Sequence, residues 1–290
     1  MSIGRYRKRV TARGVKDLLF TNLCFVATLI GIVLLAVLLY SVFRDGSQRL
    51  SWDFLNSFPS RFPEKAGIKS ALFGSLWVVV LTGAIAVPTG IAAAIYLEEF
   101  QRRRTWLTEL IQVNISNLAG VPSIVYGLLG LAVFVRWMAL DRSVISGALT
   151  MALLILPMLI TVSQEALKAV PDSYREGSLA LGATQWQTIY RQVLPAALPG
   201  ILTGVILSLS RALGETAPLI LIGAVSFVRF VPEGLGSSFT VLPIQIFNWT
   251  SQPQKGFQEA AAAGIIVLLV VLLSLNATAI YLRHRASRHA

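Results

Sequence analysis

Arg211 and Glu215 are ionisable residues of opposite charge within the run Ser210-Arg211-Ala212-Leu213-Gly214-Glu215-Thr216-Ala217-Pro218. The flanks 200–209 and 219–227 are predominantly apolar. An ionic side chain at the centre of a bilayer costs about 2.5–3.5 kcal/mol on insertion scales. Residues four apart lie on one face of a helix, so the spacing puts both charges on one face. Intramembrane charges mostly face a water-filled or protein-lined path, and the pair therefore points to passage of a charged solute. The alternative is an ion pair that locks its helix to a neighbour. The desolvation of a buried pair with no path beside it weighs against that alternative.

Other chemistries have little to work with. No stretch reads G-x-x-x-x-G-K-[ST], so this chain has no such cradle for ATP, and any ATP-derived energy must come from a partner. His284 and His289 fall in the C-terminal tail with no metal-ligand partner at fixed spacing, and no nucleophile–base pair appears. The one cysteine, Cys24, excludes an internal disulfide framework and reads as a small residue facing lipid or core.

Hydrophobic residues make up 55% of the 290 and charged residues 13%, where soluble domains average about 25% charged. The chain reads as an all-α polytopic membrane protein. Six windows suffice to cross about 30 Å of hydrocarbon: 18–43, 71–97, 107–135, 144–161, 197–227 and 258–282. The first is too long for a signal peptide and reads as an uncleaved span. The formal charge of +11 is not read as a nucleic-acid footprint, because the positive residues gather at span ends, as membrane topology requires. They favour both termini in the cytoplasm, with Arg102, Arg103 and Arg104 in the inner set. The domains expected are a basic cytoplasmic tail 1–17, a first span 18–43, an extracytoplasmic loop 44–70, a core 71–282 with an inner loop 165–194, and a tail 283–290.

The elements that position the charges carry their own signals. The third window holds Asn114, Ser116, Asn117 and a Gly120-Val121-Pro122 break, so it is expected to be buried among neighbouring helices. Gly200 and Gly204 form a small-xxx-small face for close helix contact, or are simply glycines of the kind common in membrane helices. The outer loop, with Trp52, Phe54, Phe58 and Phe62, is a lid or docking surface, or else lies in the headgroups. Arg136 reads as a snorkelling border residue, with electrostatic attraction of anions as the alternative.

The inner loop is the most informative connection. Ser173-Tyr174-Arg175-Glu176 and Thr184-Gln185-Trp186-Gln187 read as capping boxes. Gly182 is a good residue to end the first helix, and the second is expected to stop before Pro195. Leu179, Leu181, Trp186 and Ile189 provide apolar contact points. Two capped helices with apolar faces fit a surface that docks a cytoplasmic partner. Interfacial helices lying on lipid are the alternative, weakened by the single positive charge of the first helix, which Glu176 offsets.

Glu176-Gly177-Ser178, Gly182 and Leu194-Pro195 resemble the EAA loop of permease subunits of bacterial ATP-binding-cassette importers. Gly177 and Ser178 stand where that pattern has two alanines, and Gln192 where it has isoleucine. Gly120-Val121-Pro122-Ser123-Ile124-Val125-Tyr126-Gly127-Leu128-Leu129-Gly130-Leu131 and the run around Arg211 resemble the phosphate-specific permeases, the PstA type more closely. The resemblance covers roughly 71–282. It implies a type I importer permease fold in the bacterial inner membrane, with six transmembrane helices and a cytoplasmic coupling helix. The implied partners are a second permease of the PstC type, two ATPase subunits holding ATP and Mg, an extracytoplasmic phosphate-binding protein, and membrane lipid. No cofactor is implied on this chain. Glu176, Ser178 and Gly182 are carried over as contact or hinge positions for the ATPase.

On that reading Arg211 and Glu215 become substrate-pathway residues. Fourteen residues from 197, at ~1.5 Å each, place Arg211 roughly 20 Å along its helix. A guanidinium is a permanently charged fork suited to phosphate oxygens. Glu215 either holds Arg211 when the path is empty or shares a proton with protonated phosphate, which ionised sulfate cannot offer. Two competing readings remain: another oxyanion as cargo, and a membrane-anchored assembly protein that uses the inner loop for docking.

Overall fold

The computed structural model describes residues 3–101, 105–224 and 227–287, and all regular structure among them is helical. The helices are α1 (Ile3–Ser47), α2 (Trp52–Asn56), α3 (Lys69–Ile95), α4 (Trp106–Ala119), α5 (Ser123–Gly130), α6 (Val144–Lys168), α7 (Asp172–Ala180), α8 (Gln185–Thr188), α9 (Leu194–Gly214), α10 (Ala217–Ile222), α11 (Leu242–Thr250) and α12 (Lys255–Ser287). π-Helical turns at Tyr96–Phe100 and Leu131–Trp137 extend α3 and α5, and a third at Ile189–Val193 fuses α8 to α9. Arg102, Arg103, Arg104 and His289 lie outside the described residues; His284 is exposed.

Among the described residues five stretches are long and apolar enough to cross a membrane: Lys16–Ser47, Lys69–Phe100, Val144–Lys168, Gln185–Gly214 and Lys255–Tyr281. The third expected span is not one helix. Trp106–Ala119 and Ser123–Trp137 meet at 105°, and six crossings are reached when this bent pair counts as one. Pro122 causes the break, because it lacks an N–H and disfavours helical geometry at Val121. The expected burial of this span also fails for α4. Ile115 is its one fully buried residue, while Asn114, Ser116 and Asn117 are exposed. The helix packs chiefly on α6 and leaves its polar face uncovered.

The fifth expected span is corrected at both ends. The second loop helix does not stop before Pro195. The π turn, in which Leu194 N–H reaches the Ile189 carbonyl, carries the helix past the proline. At the other end the helix stops at Gly214, well short of 227. Pro218 explains the stop: it has no N–H for the Gly214 carbonyl four residues back, and its ring would clash there.

α6 is the central post, buried against α3, α9, α5 and α10. Val78, Met151, Ile155, Leu159 and Phe239 form the middle of the core. Ile115, Leu167, Val193 and Ile201 close the end that carries the loop helices. At the opposite end Phe54 and Trp249 pack at 5.9 Å beside Ile68 and Leu242. The 44–70 segment thus contributes Phe54 to the core, while Trp52 and Phe62 stay exposed. α12 runs antiparallel to α9, pinned by Ser210–Asn276 at 2.5 Å and Arg283–Thr203 at 3.0 Å. α1 rests on α12, with Gly46 against the Ala262 backbone, and its stretch Lys16–Ser47 is largely exposed.

Gly200 and Gly204 do serve a close helix contact, both facing α6. A Cβ on Gly200 would come within 2.8 Å of the Ala166 Cβ, and one on Gly204 within 2.6 Å of the Val162 Cγ1. Gly204→Leu is expected to destabilise the chain by about 1–3 kcal/mol through overpacking. Thermal unfolding of the detergent-purified protein measures this, and an unchanged midpoint would contradict the α6–α9 contact.

Candidate functional site

The break at Gly214 reshapes the charged pair. Arg211 sits on the last turn of α9, and Glu215 is the residue after the helix, with extended backbone at φ −80° and ψ 130°. The two are therefore not stacked on one helical face. No ion pair joins them among the described residues, and Arg211 is exposed while Glu215 is half-buried. The last-turn carbonyls of a helix lack intrahelical partners and carry partial negative charge, so a cation is favoured at the Arg211 position without a carboxylate.

The same region gathers the third-span motif. α10, which follows Glu215, packs on α5, and Gly127 lies so close to Pro218 that a Cβ there would meet the Pro218 Cα at 2.7 Å. Tyr126 is buried, and its hydroxyl donates to the Leu118 carbonyl at 2.8 Å, bridging the bend between α4 and α5. Two broken helices thus meet just beyond the end of α9, whose last turn carries Arg211. The sequence reading missed Tyr126; the signal for it was a lone tyrosine four residues past the helix-breaking proline.

At the other end lies the loop. α7 starts one residue before the expected box: Pro171 occupies the N-cap, Ser173 is already inside the helix, and no side chain caps it. The second box forms as expected, with the Thr184 N–H donating to Gln187 Oε1 at 2.9 Å and the Gln187 N–H donating to Thr184 Oγ1 at 3.3 Å. Gly182 takes φ +83° and ends α7, with Gly182 N–H bonded to the Leu179 carbonyl and Ala183 N–H to that of Ser178. Only glycine, and to a lesser degree asparagine, adopts that backbone cheaply.

Glu176 is exposed, and half-buried Ser178 accepts a hydrogen bond from Thr188 Oγ1 at 3.0 Å. Of the expected apolar contact points, Leu179, Leu181 and Trp186 project outward, Leu181 with 91% of its surface free. Ile189 is instead core. Trp186 stacks on Tyr190 at 6.4 Å, which widens the exposed aromatic surface.

Arg175, the positive charge of the first loop helix that Glu176 was expected to offset, is buried and paired instead with Glu99 at 2.6 Å. The hydrogen bond to that carboxylate pushes the guanidinium pKa up from an already high value, against the opposing effect of burial. Sequence reasoning passed over Glu99; its only signal was an acidic pair, Glu98-Glu99, ending an apolar span. A cleft of about 820 Å³ runs beside this pair, lined by Glu98, Glu109, Gln112, Gln164 and Glu176 among others.

The family model described as "Binding-protein-dependent transport system inner membrane component" matches residues 86–288. The chain is 32% identical to "Phosphate transport system permease protein PstA 1" of Mycobacterium tuberculosis over 290 residues, covering 98% of this chain and 93% of that protein. It is 33% identical to the PstA permease of Yersinia pestis, covering 93% and 90%. Among solved structures, a bacterial alginate ABC transporter in complex with its periplasmic protein matches with a TM-score of 0.64 at 18% identity, covering 93% of this chain and 96% of that one. The MetNI methionine ABC transporter in an inward-facing conformation matches with a TM-score of 0.60 at 15% identity, covering 74% and 94%. A type I importer permease fold and a match over most of its length agree: the chain belongs to the binding-protein-dependent transport system inner membrane component family.

Proposed function

We propose that this chain is a permease subunit of an ATP-driven importer of inorganic phosphate in the bacterial cytoplasmic membrane. A second permease of the PstC type would complete the pathway. Two ATPase subunits would dock beneath, and an extracytoplasmic phosphate-binding protein would deliver the cargo. Both termini are assigned to the cytoplasm, in keeping with the charge bias of the loops. The names of relatives such as the Mycobacterium tuberculosis and Yersinia pestis proteins support phosphate as cargo.

The observation that carries the reading is Arg211: a permanent cation, exposed on the isolated chain, on the last turn of a long apolar helix just short of where two broken helices meet. An uncovered guanidinium at that position needs either an anion or a second subunit beside it, and a path between two permeases provides both. Glu215, off the helix and half-buried, is placed to respond to the protonation state of a passing oxyanion. At the loop, Glu176 and the exposed Leu181 and Trp186 form the docking face, Gly182 sets the angle of the two loop helices, and Ser178 braces that angle through Thr188.

Arg211→Ala is expected to cut phosphate uptake at least about tenfold, since a hydrogen bond to a charged group contributes about 1.5–3 kcal/mol. Co-purification with the ATPase should be unchanged. Arg211→Lys, which keeps charge but loses the planar fork, should fall between the two. Radiolabelled phosphate uptake by reconstituted proteoliposomes, with sulfate as competitor, measures this; wild-type rates in Arg211→Ala would refute the pathway role. Gly182→Pro forbids the positive φ and removes the N–H bonded to Leu179, so it should uncouple ATP hydrolysis from uptake, while Gly182→Asn should stay near wild type. Transport and hydrolysis measured together decide it.

A further inference from the structure

The buried pair between Glu99 and Arg175 grips both loop helices at one point. Arg175 Nη2 donates to Glu99 Oε1 at 2.6 Å, and its Nε donates to both carboxylate oxygens at 3.2 Å. The remaining guanidinium contacts go to carbonyls just beyond and within the end of α6: Nη2 to Leu167 at 2.9 Å and Nη1 to Val170 at 2.7 Å. Asp172 adds an exposed contact at 3.4 Å. Arg175 belongs to α7. The backbone carbonyl of the same Glu99 accepts from the Gln185 side chain at 2.7 Å, and Gln185 opens α8. Thr188 Oγ1 closes the figure by donating to Ser178 Oγ across the Gly182 corner.

We propose that Glu99 is a positioning residue that fastens the loop to the membrane helices: its carboxylate holds α7 through Arg175, and its carbonyl holds α8 through Gln185. The two loop helices and the ends of α3 and α6 then move as one body. The inference rests on the docking role given to the loop above and adds the route by which that docking reaches the spans. Glu99 lies in the π-helical turn Tyr96–Phe100, where the backbone ladder of α3 is already widened. This lets α3 present a side chain and a carbonyl to the loop at the same residue. It also recasts Gly182 as a braced corner, because helices on both sides of it are tied to one anchor. Hydrogen-bond and salt-bridge networks with definite partners can carry coupling of this kind, and burial of both charges makes a half-broken arrangement unfavourable.

The test uses the complete complex of both permeases, ATPase and binding protein in proteoliposomes, with uptake and hydrolysis measured together. Glu99→Gln keeps the carbonyl contact to Gln185 and removes the charge. It is expected to assemble with the ATPase and to raise the ATP consumed per phosphate by about three- to tenfold, the scale on which residues of a coupling network act. Glu99→Asp should restore part of the ratio. A wild-type ratio in Glu99→Gln overturns the proposal. If that variant does not assemble, the double variant Glu99→Leu with Arg175→Met fills the same space without an unpaired charge. It should assemble yet stay uncoupled, and wild-type coupling there would reduce the pair to filler and overturn the proposal. A cross-link from Leu181→Cys to the ATPase, made in a background with Cys24→Ser, separates the two claims. Its absence sinks the docking role of the loop; its presence beside wild-type coupling in Glu99→Gln sinks only the fastening role of Glu99.

Discussion

A bilayer core offers no water, so every backbone N–H and C=O within it must find a partner inside the protein. That constraint decides where this chain can afford irregular backbone. The bend after α4 is tolerable because Tyr126 returns its hydroxyl to the Leu118 carbonyl and because α10 lies against α5. At the end of α9 the Glu215 N–H turns back to the Ala212 carbonyl. Both irregularities fall in one region, and the charge proposed for the pathway sits beside it. Broken helices lining a cavity are how membrane proteins present polar groups at depth without exposing unpaired backbone to lipid.

The opposite end obeys a different rule. There the loop helices are short, and helices of such length are marginal alone, so tertiary contacts must hold them. α8 solves this by fusing with α9 through the Ile189–Val193 turn. α7 solves it with Arg175, whose donors are shared between Glu99 and the carbonyls of Leu167 and Val170. One long rod from Gln185 to Gly214 therefore connects the docking surface to the charged break. Trp186 stands at the base of the helix whose tip carries Arg211.

Much of this was legible in the sequence. The span windows, the second capping box, the need for glycine at 182 and the small face at Gly200 and Gly204 all rest on local chemistry, and local chemistry is what a sequence displays. The misreadings share a cause. The apolar character of 197–227 continues through Pro218, so hydropathy concealed a stop that the proline's missing N–H imposes. The break at Pro122 is legible, but its bend of 105° and the exposure of α4 are not, because nothing local reveals which neighbours cover the two halves. The sequence sets Glu176 against Arg175, whereas its true partner is 76 positions away, and a pair so distant leaves no pattern in either segment. Arg211 and Glu215 were recognised as a pair, yet their geometry depended on a helix end one residue before Glu215.

α1 has a consequence of its own. At about 1.5 Å per residue, the apolar run 18–43 is roughly 39 Å long, against a hydrocarbon slab of about 30 Å. Among the bundle helices it packs chiefly on α12, and its apolar stretch is otherwise largely exposed. Hydrophobic mismatch must then be relieved by leaning, by local thickening of the lipid, or by protrusion. The slant of this helix is therefore a compromise between its contact with α12 and the thickness of the surrounding bilayer.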